Sequence, residues 1–281
     1  MEMRIITTPG LVSFREHLCR EERSAATQEK YLREVTQFSA WLGDAEVTRT
    51  EVARWKEYLL EQGYSPSTVN GKLTALDRFF QFHGWEGCKV RHLKLQRKLF
   101  CDDGQELTKQ EYERLLAAAK ATGKQRLYLL METICSTGIR VSEVKYITVE
   151  AAQRGRTEIS LKGKIRTILI PGKLSRKLLK YAGKNKIASG EIFLTRGGNS
   201  LSRKQIWADM KAICENAGVA PSKVFPHNLR HLFARTFYRV CKDVAKLADV
   251  LGHSSIETTR IYLISTGAEH EKTLERMKLV L

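Results

Sequence analysis

The chain of 281 residues has 48 lysines and arginines against 31 aspartates and glutamates, and residues 103–281 alone hold 32 basic and 17 acidic side chains. This excess favours a polyanionic partner, first of all nucleic acid, although a basic surface that only aids solubility would give the same count. Six widely spaced cysteines without a Cys-x-x-Cys pair argue against a zinc knuckle or a dense disulfide framework, and no apolar stretch approaches the ~20 residues of a membrane span. We therefore expect a cytoplasmic protein with reduced thiols.

Residues 1–86 carry the pattern of four amphipathic helices, which we predict to form an N-terminal domain. The clearest helical face consists of Tyr31, Val35, Phe38 and Leu42. Thr48 with Glu51 predicts a capping box at the start of one helix, and Ser65 before Pro66 predicts an N-cap at the start of another.

Residues 87–106 lose this periodicity and form a basic segment. Its cations are Lys89, Arg91, Lys94, Arg97 and Lys98. Such a segment could lie along a phosphate backbone, or it could be a solvated connector. We predict a linker here, followed by a second domain over residues 107–281.

The second domain reads as mostly helical with one small sheet. Thr108 and Glu111 predict a capping box at its start, and β-prone runs at 157–161 and 166–170 predict a hairpin around Lys162. Later helix start and stop signals are Ser202 with Gln205, Gly218, Pro226, Gly252, and Ser254 with Glu257. The predicted fold class is mainly α with a small β-sheet.

Several side chains in this domain suit the chemistry of phosphodiester transfer, which needs a nucleophile, cations that hold the phosphoryl charge and an acid for the leaving oxygen. Arg140 follows a glycine break, and His227 and Arg230 share one predicted helical face at i,i+3 spacing. Two guanidiniums could hold the non-bridging oxygens of a phosphate without a divalent metal. Each arginine by itself could equally be a surface salt-bridge partner, so the inference rests on the whole set.

Four separated motifs occur together in this half of the chain. They are Thr-Gly-Ile-Arg-Val-Ser-Glu at 137–143, Lys-Gly at 162–163, Pro-His-Asn-Leu-Arg-His at 226–231, and Leu-Gly-His at 251–253 followed by Tyr262. In their order and spacing the chain resembles the tyrosine recombinases, also called phage integrases, strongly over residues 107–265 and by helical pattern alone before that. The resemblance implies an N-terminal four-helix, SAM-like core-binding domain that grips DNA opposite an α+β catalytic domain.

The resemblance also implies a role for each matched residue. Tyr262 would attack the scissile phosphate to form a 3′-phosphotyrosine, and Lys162 would protonate the leaving 5′-hydroxyl, with Lys164 of the same predicted turn as the alternative acid. The other implied roles are phosphate clamping by Arg140 and Arg230, proton transfer and phosphate binding by His227 and His253, and support of the site by Glu143. Because a phosphotyrosine conserves the energy of the broken bond, we expect no ATP, metal or other cofactor, and the sequence has no phosphate-loop motif.

Further DNA contacts are predicted on both domains. They are Lys164, Arg166, Lys173 and Arg203 in the catalytic domain, and Thr27, Ser67, Asn70 and Lys72 in the N-terminal domain. Simpler interpretations stay open for two features: Tyr262 alone could be a core tyrosine, and His227 with His231 has zinc-ligand spacing. Zinc is not expected, because no Glu follows the first histidine and no third ligand is evident, so His231 is expected to be a packed or hydrogen-bonded neighbour.

The partners implied by the resemblance are double-stranded DNA recombination sites. The protein would be a monomer when free and a homotetramer on two sites, exchanging strands in pairs through a four-way junction, with accessory DNA-bending or directionality proteins as further candidates. An apolar pattern at Leu274, Met277 and Leu279 suits a tail helix that docks on a neighbouring protomer or on its own domain. The rival interpretations are a type IB topoisomerase-like enzyme that lets a cut strand swivel, and a non-catalytic DNA-binding regulator.

Overall fold

The computed structural model describes residues 3–95, 103–161, 164–253 and 255–262. The chain divides into two compact units, Met1–Arg97 and Lys98–Leu281. No helix in the described ranges is long and apolar enough to cross a membrane.

The first unit contains the four predicted helices. They are α1 (Thr8–Arg20), α2 (Ala25–Leu42), α3 (Arg49–Glu61) and α4 (Pro66–Phe82). The Ser65 side chain accepts a hydrogen bond from the Thr68 backbone N–H at the start of α4, and Thr48 does the same for Glu51 at the start of α3. Their apolar faces meet in an aromatic-rich core in which Phe38 packs edge to face on Trp55 and Phe80. The helical prediction for this part of the chain is confirmed.

The second unit adds nine α-helices and one hairpin in the described residues, besides short 3₁₀ helices. They are α5 (Lys109–Ala121), α6 (Gln125–Thr137), α7 (Val149–Arg154), β1 (Arg156–Leu161), β2 (Lys164–Leu169), α8 (Gly172–Lys184), α9 (Arg203–Lys211), α10 (Cys214–Ala217), α11 (Pro226–Cys241), α12 (Val244–Leu251) and α13 (Ile256–Arg260). Helix α6 lies at the centre of the core, because apolar residues on several of its faces are buried between neighbouring helices. They are Leu127, Leu129, Leu130, Met131 and Ile134. The mainly helical fold with a small sheet is confirmed.

The hairpin is antiparallel, and its register pairs Leu161 with Lys164 and Ile159 with Arg166. Strand β2 therefore begins at Lys164, two residues before the predicted run, so Lys164 belongs to a strand and not to the turn. Alternate residues of β2 are buried while those between them face solvent, as the period of two along a strand requires. Lys162, the predicted general acid, lies outside the described residues.

Two helix ends position the residues of the site. Gly138 ends α6 and Gly252 ends α12, both in the left-handed conformation that a glycine adopts without steric cost. Helix α13 is capped by Ser255, whose side chain accepts from the Glu257 backbone N–H. The predicted cap at Ser254 was wrong by one residue, because Ser255 is the residue that has extended backbone directly before the first helical turn.

Candidate active site

Arg140 is presented by a sharp change of chain direction after α6. Gly138 has φ of 64°, and a Cβ at this position would lie 3.1 Å from Leu251 and still closer to the ring of Phe233. A glycine is therefore required by the neighbouring helix as well as by the backbone. A 3₁₀ helix, Val141–Tyr146, begins directly after Arg140 and leaves its side chain 42% exposed.

Glu143 stabilises this turn through hydrogen bonds to Arg140. Its side chain is 1% exposed, and one carboxylate oxygen accepts from the Arg140 backbone N–H at 2.8 Å while the other accepts from the Arg140 guanidinium at 3.1 Å. The first oxygen also accepts from Arg166 at 2.7 Å. A buried carboxylate with three charge-assisted or backbone donors is well satisfied, so Glu143 fixes both the backbone and the head group of Arg140.

Arg230 lies in the second turn of α11 and is 1% exposed. Its guanidinium donates to the Gly138 carbonyl oxygen, to the Leu251 carbonyl oxygen at 2.9 Å, to His253 Nε2 at 2.9 Å and, through Nε, to the Tyr262 hydroxyl at 3.5 Å. These bonds engage at least four of the five guanidinium N–H groups. Arg230 thus joins the turn before Arg140, the end of α12 and the tyrosine in one hydrogen-bonded cluster.

The hydrogen bonds of His253 define its tautomer. An arginine can only donate, so Nε2 of His253 must accept from Arg230, and Nδ1 must carry the proton that faces the Thr259 hydroxyl at 2.8 Å. The ring also stacks on Tyr262 with an interplanar angle of 12° and a centroid separation of 5.6 Å. His253 is therefore neutral in this state, held between one cation and one hydroxyl.

Tyr262 is 3% exposed and lies among three histidine side chains. Its ring centroid is 4.4 Å from that of His231 and 6.0 Å from that of His227. His231 is thus a packed neighbour of the tyrosine, and its ring also contacts the His227 ring edge to face at 4.6 Å. The phenolic oxygen is directed towards the Arg230 guanidinium, where a bound phosphate would meet both groups.

The electrostatics of the cluster favour an anion. Burial, followed by the positive charge of Arg230, lowers the pKa of His253 to about 4, and burial, followed by His227, lowers that of His231 to about 4. Desolvation and then the charges of Arg230 and Arg140 also lower the pKa of His227, whose ring is exposed. Burial lowers the pKa of Arg230 to about 10, so this guanidinium stays charged at neutral pH. An anion placed here would raise the pKa of each histidine, and it would offset the repulsion between the guanidiniums of Arg140, Arg166 and Arg230.

The structure therefore brings together six of the predicted residues, which are Arg140, Glu143, His227, Arg230, His253 and Tyr262. It also shows a contact that the sequence did not suggest, the Thr259 hydroxyl on His253. A hydroxyl one turn before a tyrosine is too common a pattern to single out from sequence.

The predicted DNA contacts of this unit differ in exposure. Lys173 and Arg203 are exposed, in agreement with a surface role that stays a prediction, whereas the side chain of Lys164 lies outside the described residues. Arg166 is only 8% exposed and its guanidinium donors face Glu143 and the Val250 carbonyl oxygen. The prediction of a DNA contact by Arg166 is corrected accordingly, because a buried and internally bonded guanidinium does not face solvent.

Two of the predicted contacts of the first unit are structural. Lys72 is 7% exposed, and its Nζ lies 2.5 Å from Glu34 and also contacts Gln37, so it does not face solvent. The Asn70 side chain donates to and accepts from the backbone of Leu93, which fastens the segment after α4. These interactions correct the prediction for Lys72 and give Asn70 an internal role.

The other two lie near helix starts. Thr27 is half-buried in the first turn of α2, with its hydroxyl 2.9 Å from that of Ser24, and Ser67 is exposed in the first turn of α4. Both stay predicted DNA contacts.

Comparison with known proteins agrees with the fold. Residues 105–269 match the family described as Phage integrase family, and residues 11–87 match the one described as Phage integrase, N-terminal SAM-like domain. The chain therefore belongs to the phage integrase family and is an enzyme of the tyrosine recombinase type.

Its relatives include tyrosine recombinase XerA of Thermococcus kodakarensis, which is 29% identical over 277 residues that cover 95% of this chain and 94% of the relative. Tyrosine recombinase XerC of Roseiflexus castenholzii is 29% identical over 286 residues, covering 93% of this chain and 89% of the relative. Among solved structures, a lambda integrase tetramer bound to a Holliday junction matches with a TM-score of 0.71 and 19% identity, covering 90% of this chain and 76% of that chain. This structural likeness concerns the fold.

Proposed function

We propose that the protein is a site-specific DNA recombinase that cleaves and rejoins DNA through a phosphotyrosine formed on Tyr262. The observation that carries the proposal is the convergence of Arg230, His253 and His227 around the Tyr262 phenol, with the Arg140 guanidinium at the solvent side. Two guanidiniums and two imidazoles around one phenol suit a negatively charged reactant that the tyrosine attacks.

In the proposed reaction the Tyr262 oxygen attacks the scissile phosphorus and the phenolic proton leaves to a base. His227 and His253 are the candidate bases, because both are neutral near pH 7 and an anion bound beside them raises their pKa values. The bond from phosphorus to the 5′-oxygen breaks, and Lys162 protonates this leaving oxygen. Rejoining is the reverse reaction with a 5′-hydroxyl as nucleophile, so the energy of the broken bond stays in the phosphotyrosine.

Arg140 and Arg230 hold the phosphate in different ways. Arg140 is partly exposed and can reach a backbone phosphate while Glu143 fixes its orientation. Arg230 already donates to two carbonyl oxygens, His253 and Tyr262, so a phosphate has to replace some of these partners. We propose that entry of the phosphate displaces the His253 and Tyr262 bonds, which releases the nucleophile at the moment the substrate arrives.

We propose double-stranded recombination sites as substrates and a homotetramer on two such sites as the active assembly. The lambda integrase neighbour is a tetramer on a Holliday junction, and the match of this chain to its fold supports strand exchange in pairs through a four-way junction. Four further points stay predictions: accessory proteins, the monomeric free state, the cytoplasmic location and the docking of the tail. The tail, residues 263–281, lies outside the described residues. The domain boundaries at residues 86 and 106 also stay predictions.

The proposal is tested by trapping the covalent intermediate. Pooled nicked duplexes with randomised cores would be incubated with the wild type, with Tyr262→Phe and with Tyr238→Phe, a matched loss of one hydroxyl on α11. We expect a denaturant-resistant protein–DNA adduct with the wild type and Tyr238→Phe, and none with Tyr262→Phe. Peptide mapping of the adduct identifies the attached residue, and attachment to any residue other than Tyr262 refutes the assignment.

A plasmid relaxation assay beside the adduct experiment separates the rival functions. A topoisomerase-like enzyme relaxes a supercoiled plasmid that carries no recombination site, whereas a recombinase acts on duplexes selected from the pool. A non-catalytic regulator binds the pool without forming an adduct. The assembled nucleophile and phosphate-binding cluster favours the recombinase over the regulator.

A further inference from the structure

We propose that Arg166 is a positioning residue that fixes Arg140 and His253 relative to each other. The inference rests on the proposed function, since it concerns the geometry of the same site. Arg166 itself does not face the substrate, because its side chain is buried and its guanidinium contacts protein groups along two edges.

One edge of the Arg166 guanidinium holds the carboxylate that orients Arg140. Its NH1 donates at 2.7 Å to the same Glu143 oxygen that accepts from the Arg140 backbone N–H. Without this bond, Glu143 would have one cation and not two, and the buried carboxylate could swing with the exposed Arg140 head group. Arg166 therefore limits the freedom of Arg140 through Glu143.

The other edge holds the turn that carries His253. Arg166 Nε and NH2 both donate to the Val250 carbonyl oxygen, at 3.2 and 2.8 Å, in the last turn of α12. The aliphatic part of Arg166 lies against Gly252, where a Cβ would come within 3.1 Å of its Cγ and Nε and nearer still to its Cδ. The glycine before His253 thus leaves the space that this side chain fills.

Only an arginine can make both sets of bonds at once. Its planar guanidinium presents donors in fixed directions to Glu143 and to the Val250 oxygen, whereas a lysine ammonium at this depth can reach one of the two acceptors. Arg166 stands on β2, so it also ties the hairpin to both segments.

The test measures cleavage and DNA binding separately for Arg166→Gln and Arg166→Lys. The matched control is Arg156→Gln, which removes an exposed arginine from the facing strand β1. On a nicked duplex that the wild type cleaves, we expect Arg166→Gln to lower the single-turnover rate of adduct formation at saturating DNA by about 10- to 100-fold, with the dissociation constant within about threefold. Arg166→Lys should lie between, and Arg156→Gln should match the wild type.

The double variant Arg166→Gln/Glu143→Gln should lose less than the product of the two single losses, because Arg166 and Glu143 share their effect on Arg140. A raised dissociation constant with an unchanged rate at saturation would mean that Arg166 contacts DNA, and two unchanged quantities would mean that it is only a packing residue. Either result overturns the proposal. Should Arg166→Gln fail to fold, Arg166→Lys keeps a buried cation for Glu143 and decides the question by the same two measurements.

A readout without cleavage keeps this inference distinct from the proposed function. The ring nitrogen NMR signals of His253 report its bonds to Arg230 and Thr259, so they should change in Arg166→Gln and stay constant in Arg156→Gln. If the wild type forms no adduct on any duplex, the proposed function fails, and the NMR comparison alone decides the role of Arg166. Unchanged His253 signals in both Arg166 variants would then refute it.

Discussion

Replacement of Gly138 by alanine should destabilise the catalytic unit by about 2–4 kcal/mol. A residue with a Cβ in the left-handed conformation costs about 1 kcal/mol, and overpacking against the Phe233 ring and Leu251 adds roughly 1–3 kcal/mol. Because the overall stability of a domain is only about 5–15 kcal/mol, this is a large fraction of it. The displaced turn is the one that presents Arg140, so adduct formation should fall as well.

The matched control is Gly218→Ala, at a glycine that also ends a helix with positive φ but has nothing within 4 Å of the added Cβ. Urea unfolding monitored by circular dichroism gives the free energy of unfolding of both variants. We expect Gly218→Ala to lower the free energy of unfolding only by the backbone cost of about 1 kcal/mol. An equal loss of stability in the two variants would show that the contact with Phe233 and Leu251 does not constrain this turn.

Two further predictions concern ionisable groups. Burial lowers the pKa values of His231 and His253 to about 4, below the ordinary 6.5. The stability that they contribute is therefore complete above pH 6.5 and is lost as the pH falls towards 4. Urea unfolding at several pH values measures how the free energy of unfolding depends on pH, and this dependence should be weaker in His253→Gln. Lys72→Met leaves the buried carboxylate of Glu34 without its main partner and should destabilise the N-terminal unit by about 3–5 kcal/mol, whereas Lys72→Met with Glu34→Met should recover most of it. A weaker affinity for DNA with unchanged unfolding would instead make Lys72 a DNA contact.

The residues that meet in the candidate site could be predicted from the sequence because they lie in short motifs with fixed spacing. Arg140, His227, Arg230, His253 and Tyr262 each carry a chemical group that phosphoryl transfer requires. Helix caps and glycine stops likewise act within four residues, so the starts of α3, α4, α5 and α9 and the ends of α10 and α12 were predicted where they are observed. Helices α7 and α8 were not predicted. The cap at Ser255 was missed by one residue because two adjacent serines offer the same side chain.

Interactions between distant residues could not be predicted in this way. Lys72 and Arg166 were interpreted as DNA contacts because lysines and arginines are mostly exposed. In the structure they are buried and bonded to Glu34 and Glu143, which are 38 and 23 residues away in the sequence. One local signal was present for Arg166. Arg166 is two residues before the apolar Ile168 on β2, so the period of two along a strand places both side chains on the same, buried face.

The sequence by itself determined the family, the helical pattern and the groups available for catalysis, since these depend on residue type and local spacing. The tertiary structure decided which cations are buried, which ring nitrogen of His253 carries the proton, and how many donors of Arg230 are already engaged. These properties arise from desolvation and from hydrogen bonds between segments up to 92 residues apart, as between Arg230 and Gly138. Only the folded chain brings such groups within bonding distance.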